Sequence, residues 1–163
     1  MAPEVIDSLE FACAAESLRG DACPSALERL RDVLFDDMGR LSYSLQGRLD
    51  TRGRPRILLK VDGEIYLRCQ RCLGRLPHEV HVVSNLLVLT PGTGGAAGDI
   101  EDLDGVPADP QTKVMSLVED EVLLAIPYAA RHPDGTCSTA VDAAGDRPAS
   151  PFAVLHKLKQ DGN

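Results

Sequence analysis

From Leu41 to Leu49 apolar and polar positions alternate strictly. Leu41, Tyr43, Leu45, Gly47 and Leu49 fall on one face, the period of a half-buried strand. Thr51-Arg52-Gly53 breaks the pattern as a turn, and Pro55–Val61 resumes it as a second strand. Asp62-Gly63 carries a strong hairpin signal, because glycine takes positive φ at little cost. Glu64–Cys69 then returns as a third strand, the chain reverses at Cys69–Cys72, and Leu76–Leu89 reads as a fourth, with His78 and Ser84 as polar intrusions. Residues 40–89 are thus predicted to be an antiparallel meander.

The flanks follow other periods. Val5–Ala12 alternates loosely and is predicted as a first strand that joins the meander. In Pro24–Phe35 the residues Leu27, Leu30, Val33 and Leu34 recur at helical spacing, with Pro24 suited to a first turn and Gly39 as a stop. Thr112 is placed to cap a helix running to Ala125, with Val114, Leu117, Val118, Glu121 and Ala125 along one side and Pro127 ending it. Ser150–Lys159 predicts a short closing helix with Pro151 in its first turn and Phe152, Leu155 and Leu158 on one face. Residues 90–111 (Gly-rich, then acidic) and 131–150 read as loops. The expected architecture is a single α+β domain over residues 1–163. It consists of an antiparallel β-meander or partial barrel, two or three packed helices and a Cys-x2-Cys turn.

Composition narrows the function. The chain has 163 residues, 44% of them hydrophobic and 26% charged, room for one domain with a core. Aromatic residues make up 4% and tryptophan is absent, which argues against a module stacking several bases. No apolar run approaches the length of a membrane span. Residues 1–7 show neither a basic region nor an apolar stretch of secretory type, so a cytoplasmic protein is expected. The net charge of −8 is unevenly spread: −6 over residues 1–39, +6 over 40–75, −8 over 76–163. The basic block Arg48, Arg52, Arg54, Arg56, Lys60, Arg68, Arg71 and Arg75 is either a set of solvated strand cations or a contact surface for phosphates.

Among five cysteines, Cys69 and Cys72 lie on a predicted strand-to-strand turn, which aims two thiolates at one point. His132 and Cys137 are the only candidate second half-site, and together the four make a Cys3His set suited to zinc. A redox disulfide and two plain reduced turn cysteines are the other readings of this spacing. Cys13 and Cys23 lack partners and read as small core or surface thiols. Glu119, Asp120 and Glu121 are about 100° apart on a helix and cannot converge on one ion. Glu119 and Asp120 are expected to be solvated or paired with strand arginines, and Glu121 to accept from one. No Ser-His-Asp set, Walker loop, GxGxxG or HExxH occurs, and Gly92–Gly95 lacks a following Lys-Ser/Thr. Nothing in the sequence argues for catalysis or for a small-molecule substrate.

Cys69-Gln-Arg-Cys-Leu73, Val118-Glu-Asp-Glu-Val-Leu-Leu-Ala-Ile-Pro127, His132…Cys137 and Ser150-Pro-Phe-Ala-Val-Leu155 occur in that order. In this combination the chain resembles the bacterial YceD family, the large ribosomal RNA subunit accumulation proteins. Glu119, Asp120, Glu121, Pro127, Pro151 and Phe152 carry much of the likeness. The family's last motif more often begins with Asn, and Ser150 can cap equally well. The resemblance implies a non-catalytic role in synthesis, processing or stability of large-subunit (23S) ribosomal RNA. The implied partner is that RNA or its precursor particle. Other members place cysteines at the positions of His132 and Cys137, which favours a structural zinc. An adaptor for a ribosomal protein or a nuclease is the second class, since the chain is acidic overall. A thiol redox protein or metal-dependent hydrolase is the third.

Overall fold

The computed structural model describes residues 4–90 and 105–137. Its centre is three long antiparallel strands, β3 (Leu34–Leu49), β4 (Pro55–Arg68) and β5 (Arg75–Leu89). β2 (Ser17–Ala22) flanks β3, and β6 (Gly105–Pro107) runs parallel to β5, so the five-stranded sheet is open and mixed, in the order β2-β3-β4-β5-β6. The meander expected over residues 40–89 is present, with one strand fewer. The sheet stays open and does not close into a barrel.

Alternation sets the core. Leu41, Leu45, Ile57, Leu59, Val61, Ile65 and Leu67 are essentially fully buried on one sheet face. Each contributes about 1.5–3 kcal/mol relative to exposure. Against that face pack α1 (Ser8–Cys13), through Phe11 and Ala12, and α2 (Val114–Ala125), through Val114, Leu117, Val118 and Val122. Ala125, expected on the packed side, is exposed. Among the described residues no helix is long and apolar enough to cross a membrane.

Several local expectations are corrected. Asp62-Gly63 is not a turn: β4 runs through it, with Asp62 opposite Ser42 and His81. Glycine stands there because the strands come too close for a side chain. A Cβ on Gly63 would lie 2.1 Å from the Arg40 carbonyl oxygen, and one on Gly39 2.3 Å from that of Glu64. Gly39, at φ +116°, therefore does not end a helix but closes the irregularity in β3 between Leu34 and Gly39.

The helix expected over Pro24–Phe35 is replaced by two 3-10 turns, Pro24–Ala26 and Glu28–Leu30, and then β3. The N–H groups of Arg29 and Leu30 are taken by the Glu119 carboxylate rather than by carbonyls four residues back. Leu27 and Leu30 are buried all the same. The first predicted strand shrinks to β1 (Val5–Ile6), because Asp7 caps α1 by accepting from Leu9 and Glu10 N–H at 3.0 and 2.9 Å. β1 does not join the meander. It pairs with β7 (Thr112–Lys113) in a separate two-stranded sheet. Thr112 thus lies in a strand, its hydroxyl donating to the Asp109 carbonyl, and Lys113 precedes α2 without a side-chain cap. Parts of the predicted loops (91–104 and 138–150), and the closing helix with Ser150, Pro151 and Phe152, lie outside the described residues.

Candidate metal centre

The β4–β5 connection forms a knuckle. Cys69 N–H donates to the Gly74 carbonyl at 3.0 Å and Leu73 N–H to that of Cys69 at 2.9 Å. Leu73 sits at φ +59°, which folds the turn tightly enough to bring Cys72 back beside Cys69. The segment after α2 docks onto it, with Gln70 N–H donating to the Ala130 carbonyl at 2.8 Å.

This docking assembles the four residues expected from the spacing. Cys69 Sγ lies 3.8 Å from Cys137 Sγ. His132 Nδ1 lies 3.4 Å from Cys72 Sγ and 3.7 Å from Cys137 Sγ. All four donor atoms fall within 4.8 Å of one another. A tetrahedral zinc with ordinary Zn–S and Zn–N bonds gives edges of about 3.8 Å between sulfurs and about 3.6 Å between sulfur and nitrogen. The donor set therefore fits zinc in both chemistry and spacing. His132 is also oriented for it. Its Nε2 is 2.9 Å from the Arg75 carbonyl, which can only accept, so Nε2 carries the proton and Nδ1 keeps its lone pair for a metal.

The surroundings favour thiolate at two of the three sulfurs. Burial pushes Cys69 up, but N–H groups of Cys72, His132 and Arg71 outweigh it and bring the thiol to about 5. Cys137 is lowered, first by Arg71, whose Nε donates to its sulfur at 3.1 Å while Nη1 holds Asp134 at 3.1 Å. Cys72 is raised: the Gly74 N–H lowers it, but burial and the neighbouring sulfurs prevail. His132 is raised, mainly by Cys137 and then by Cys69. Cys13 and Cys23 are exposed and take no part.

The basic block does not form one patch. Asp50 gathers its first members. It accepts from Arg52 and Arg54 N–H, both at 2.9 Å, and pairs with the guanidinium groups of Arg54 at 2.8 Å and Arg56 at 3.1 Å. Arg56 is buried there. At the other end Arg71 pairs with Asp134, and Arg75 pairs with Asp36 at 2.7 Å while stacking 3.4 Å over the Tyr66 ring. About 40 Å of strand separates Arg56 from Arg68. Arg48, Lys60 and Arg68 are exposed and have no ion pair among the described residues.

The acidic helix residues diverge, as their spacing requires. Glu119 is buried, and with Asp120 it holds Arg29, a residue of the second 3-10 turn rather than of a strand. Glu121 is also buried and accepts from the Ser84 hydroxyl, not from an arginine. Pro127 is exposed just beyond α2. The roles of Arg29 and Ser84 leave no local signal, since each partner lies far along the chain.

Residues 57–159 match the family model of the large ribosomal RNA subunit accumulation protein YceD. The match covers β4 from Ile57 on, the knuckle, β5, α2 and the His132–Cys137 segment. Neither a curated protein nor a solved structure matches the chain.

Proposed function

Because the chain belongs to the YceD family of large ribosomal RNA subunit accumulation proteins, we propose that it is a non-catalytic factor for 23S ribosomal RNA accumulation. In this reading it works in the bacterial cytoplasm and binds the RNA or its precursor particle. The observation that carries it is the family match over residues 57–159, which takes in all four metal-site residues.

A zinc held by Cys69, Cys72, His132 and Cys137 serves structure. Cys69 and Cys72 on the β4–β5 knuckle and His132 and Cys137 after α2 would hold it, and it would tie these two segments together without taking part in any reaction. The exposed cations Arg48, Lys60 and Arg68 supply phosphate contacts, while Arg54, Arg56, Arg71 and Arg75 work inside the protein. Contacts of this kind give salt-dependent affinity with little sequence preference.

The test is depletion of the protein in its own host, with the ratio of 23S to 16S ribosomal RNA as readout. A fall in that ratio, restored by the wild-type gene and not by Cys69→Ser with Cys72→Ser, is expected. An unchanged ratio overturns the proposal.

A further inference from the structure

One feature of the fold is not needed by the metal centre or the core. A cleft of about 420 Å³ opens between the first 3-10 turn, the start of β3 and the end of β4. Its walls include Ser25, Arg31, Phe35, Asp36, Asp37 and Arg68. Phe35 leaves 43% of its surface in solvent, although the core face of β3 begins next to it at Leu34. Arg31 and Arg68 are exposed and carry no ion pair among the described residues. Asp36 is occupied by Arg75, and Met38 N–H donates to it as well. Asp37 is exposed and makes no hydrogen bond or ion pair among the described residues; its charge acts on the nearby Cys23 thiol. Arg68 is fixed in place on both sides: its N–H donates to the Val33 carbonyl at 2.9 Å, and the next residue is Cys69 of the knuckle.

An open aromatic face, two unpaired guanidinium groups and one unpaired carboxylate in a cleft of ligand size match one kind of molecule. The ring stacks a base, and the guanidinium groups take phosphate. A carboxylate can only accept, and its two oxygens suit two parallel N–H donors. Guanine presents such a pair on its Watson–Crick edge, at N1 and the 2-amino group, whereas adenine and cytosine offer one amino group and uracil one ring N–H. We infer that this cleft binds a single unstacked guanosine nucleotide of RNA, with Phe35 under the base, Asp37 on its Watson–Crick edge, and Arg31 and Arg68 on the flanking phosphates. The inference deepens the RNA-binding reading above and rests on it for the source of the nucleotide.

The experiment uses the full chain as purified and labelled pentamers UUGUU, UUAUU, UUCUU and UUUUU, read by fluorescence anisotropy. UUGUU is expected to bind at least about fivefold tighter than the others. Phe35→Ala should weaken every pentamer by about fivefold or more, while Phe35→Tyr, which keeps a ring, restores binding. Asp37→Asn should erase the preference for guanine while leaving the other three pentamers unchanged. Arg31→Ala and Arg68→Ala should weaken all four and flatten the salt dependence. These side chains are exposed, so the variants fold, and circular dichroism verifies it. Equal affinity for the four pentamers, or a preference that survives Asp37→Asn, overturns the assignment. Depletion that lowers 23S RNA together with no guanine preference would defeat the cleft alone. Guanine-selective binding together with normal 23S levels would defeat the accumulation role alone.

Discussion

Removing the Glu119 carboxylate should destabilise this protein more than removing its cationic partner. Glu119 is buried, and Oε1 accepts the backbone N–H of Arg29 at 2.6 Å and of Leu30 at 3.3 Å. Oε2 accepts from Arg29 Nε at 2.9 Å. In Glu119→Ala both amides lose their acceptor. A buried donor left unmade costs about 1–3 kcal/mol. The Leu30 amide is buried and that of Arg29 partly so, and the expected total is about 2–4 kcal/mol. Glu119→Gln keeps a carbonyl oxygen for the two amides and should cost about 1 kcal/mol. Arg29→Ala removes only a guanidinium whose side chain is 50% exposed, and both amides keep their acceptor. It should cost less than about 1 kcal/mol. The assay is urea unfolding, with the midpoint shift read at unchanged m. If Arg29→Ala costs as much as Glu119→Ala, the ion pair and not the backbone capture holds the turn, and the reasoning fails.

Elemental analysis of protein purified without chelator should find about one zinc per chain, with Cys69, Cys72 and Cys137 slow to react with a thiol reagent until a chelator is added. Metal-free protein with the same thiols freely reactive would remove the zinc assignment. Asp50 is held well below the usual carboxylate range, first by the Arg54 N–H; burial opposes this as the next largest effect, and the guanidinium groups of Arg54 and Arg56 together with the Arg52 N–H lower it further. A depressed carboxylate stabilises the fold fully above its unfolded value of about 3.9, and that contribution fades as the pH falls below it. The difference in thermal midpoint between wild type and Asp50→Asn should therefore be constant near neutrality and shrink below about pH 4. A gap that stays constant down to pH 3 contradicts it. Gly63→Ala forces a Cβ to within 2.1 Å of the Arg40 carbonyl and should cost at least about 2 kcal/mol by chemical denaturation. A neutral substitution would mean that the two strands part easily at this point.

Much of the sheet was legible because alternation is a local property. Leu41, Tyr43 and Leu45 announce their buried face whatever lies beyond them. The Cys3His cluster was legible because cysteine and histidine are rare and chosen for their side-chain chemistry, and the knuckle spacing holds whatever fold surrounds it. What failed depended on distant partners. The Leu27 and Leu30 spacing suits a helix and a pair of 3-10 turns alike. The residue that decides, Glu119, is 90 positions from Arg29. At Asp62-Gly63 the same residue type that makes a turn also admits a close neighbouring strand, and nothing nearby distinguishes the two uses. Phe35 reads as one more apolar residue of a helix. Only the position of β3 exposes it to the cleft.

Three long-range ties have a consequence for the order in which the molecule forms. Ser8 exchanges hydrogen bonds with Asp109 across 101 positions, Glu119 captures the Arg29 turn across 90, and the knuckle meets Cys137 across 68. The hairpins β3–β4 and β4–β5 close through short connections and can assemble early, whereas each tie must wait for large loops to close. All three ties end on α2 or on the segments immediately around it, so its arrival closes them together, each shortening the loop left for the others. Native-state hydrogen exchange should therefore divide the amides in two. Those of the β3–β4–β5 ladder should exchange slowest, and those of Ser8, Arg29, Leu30 and Gln70 should open together in one earlier cooperative step. Folding of this chain finishes at α2, far from where it begins.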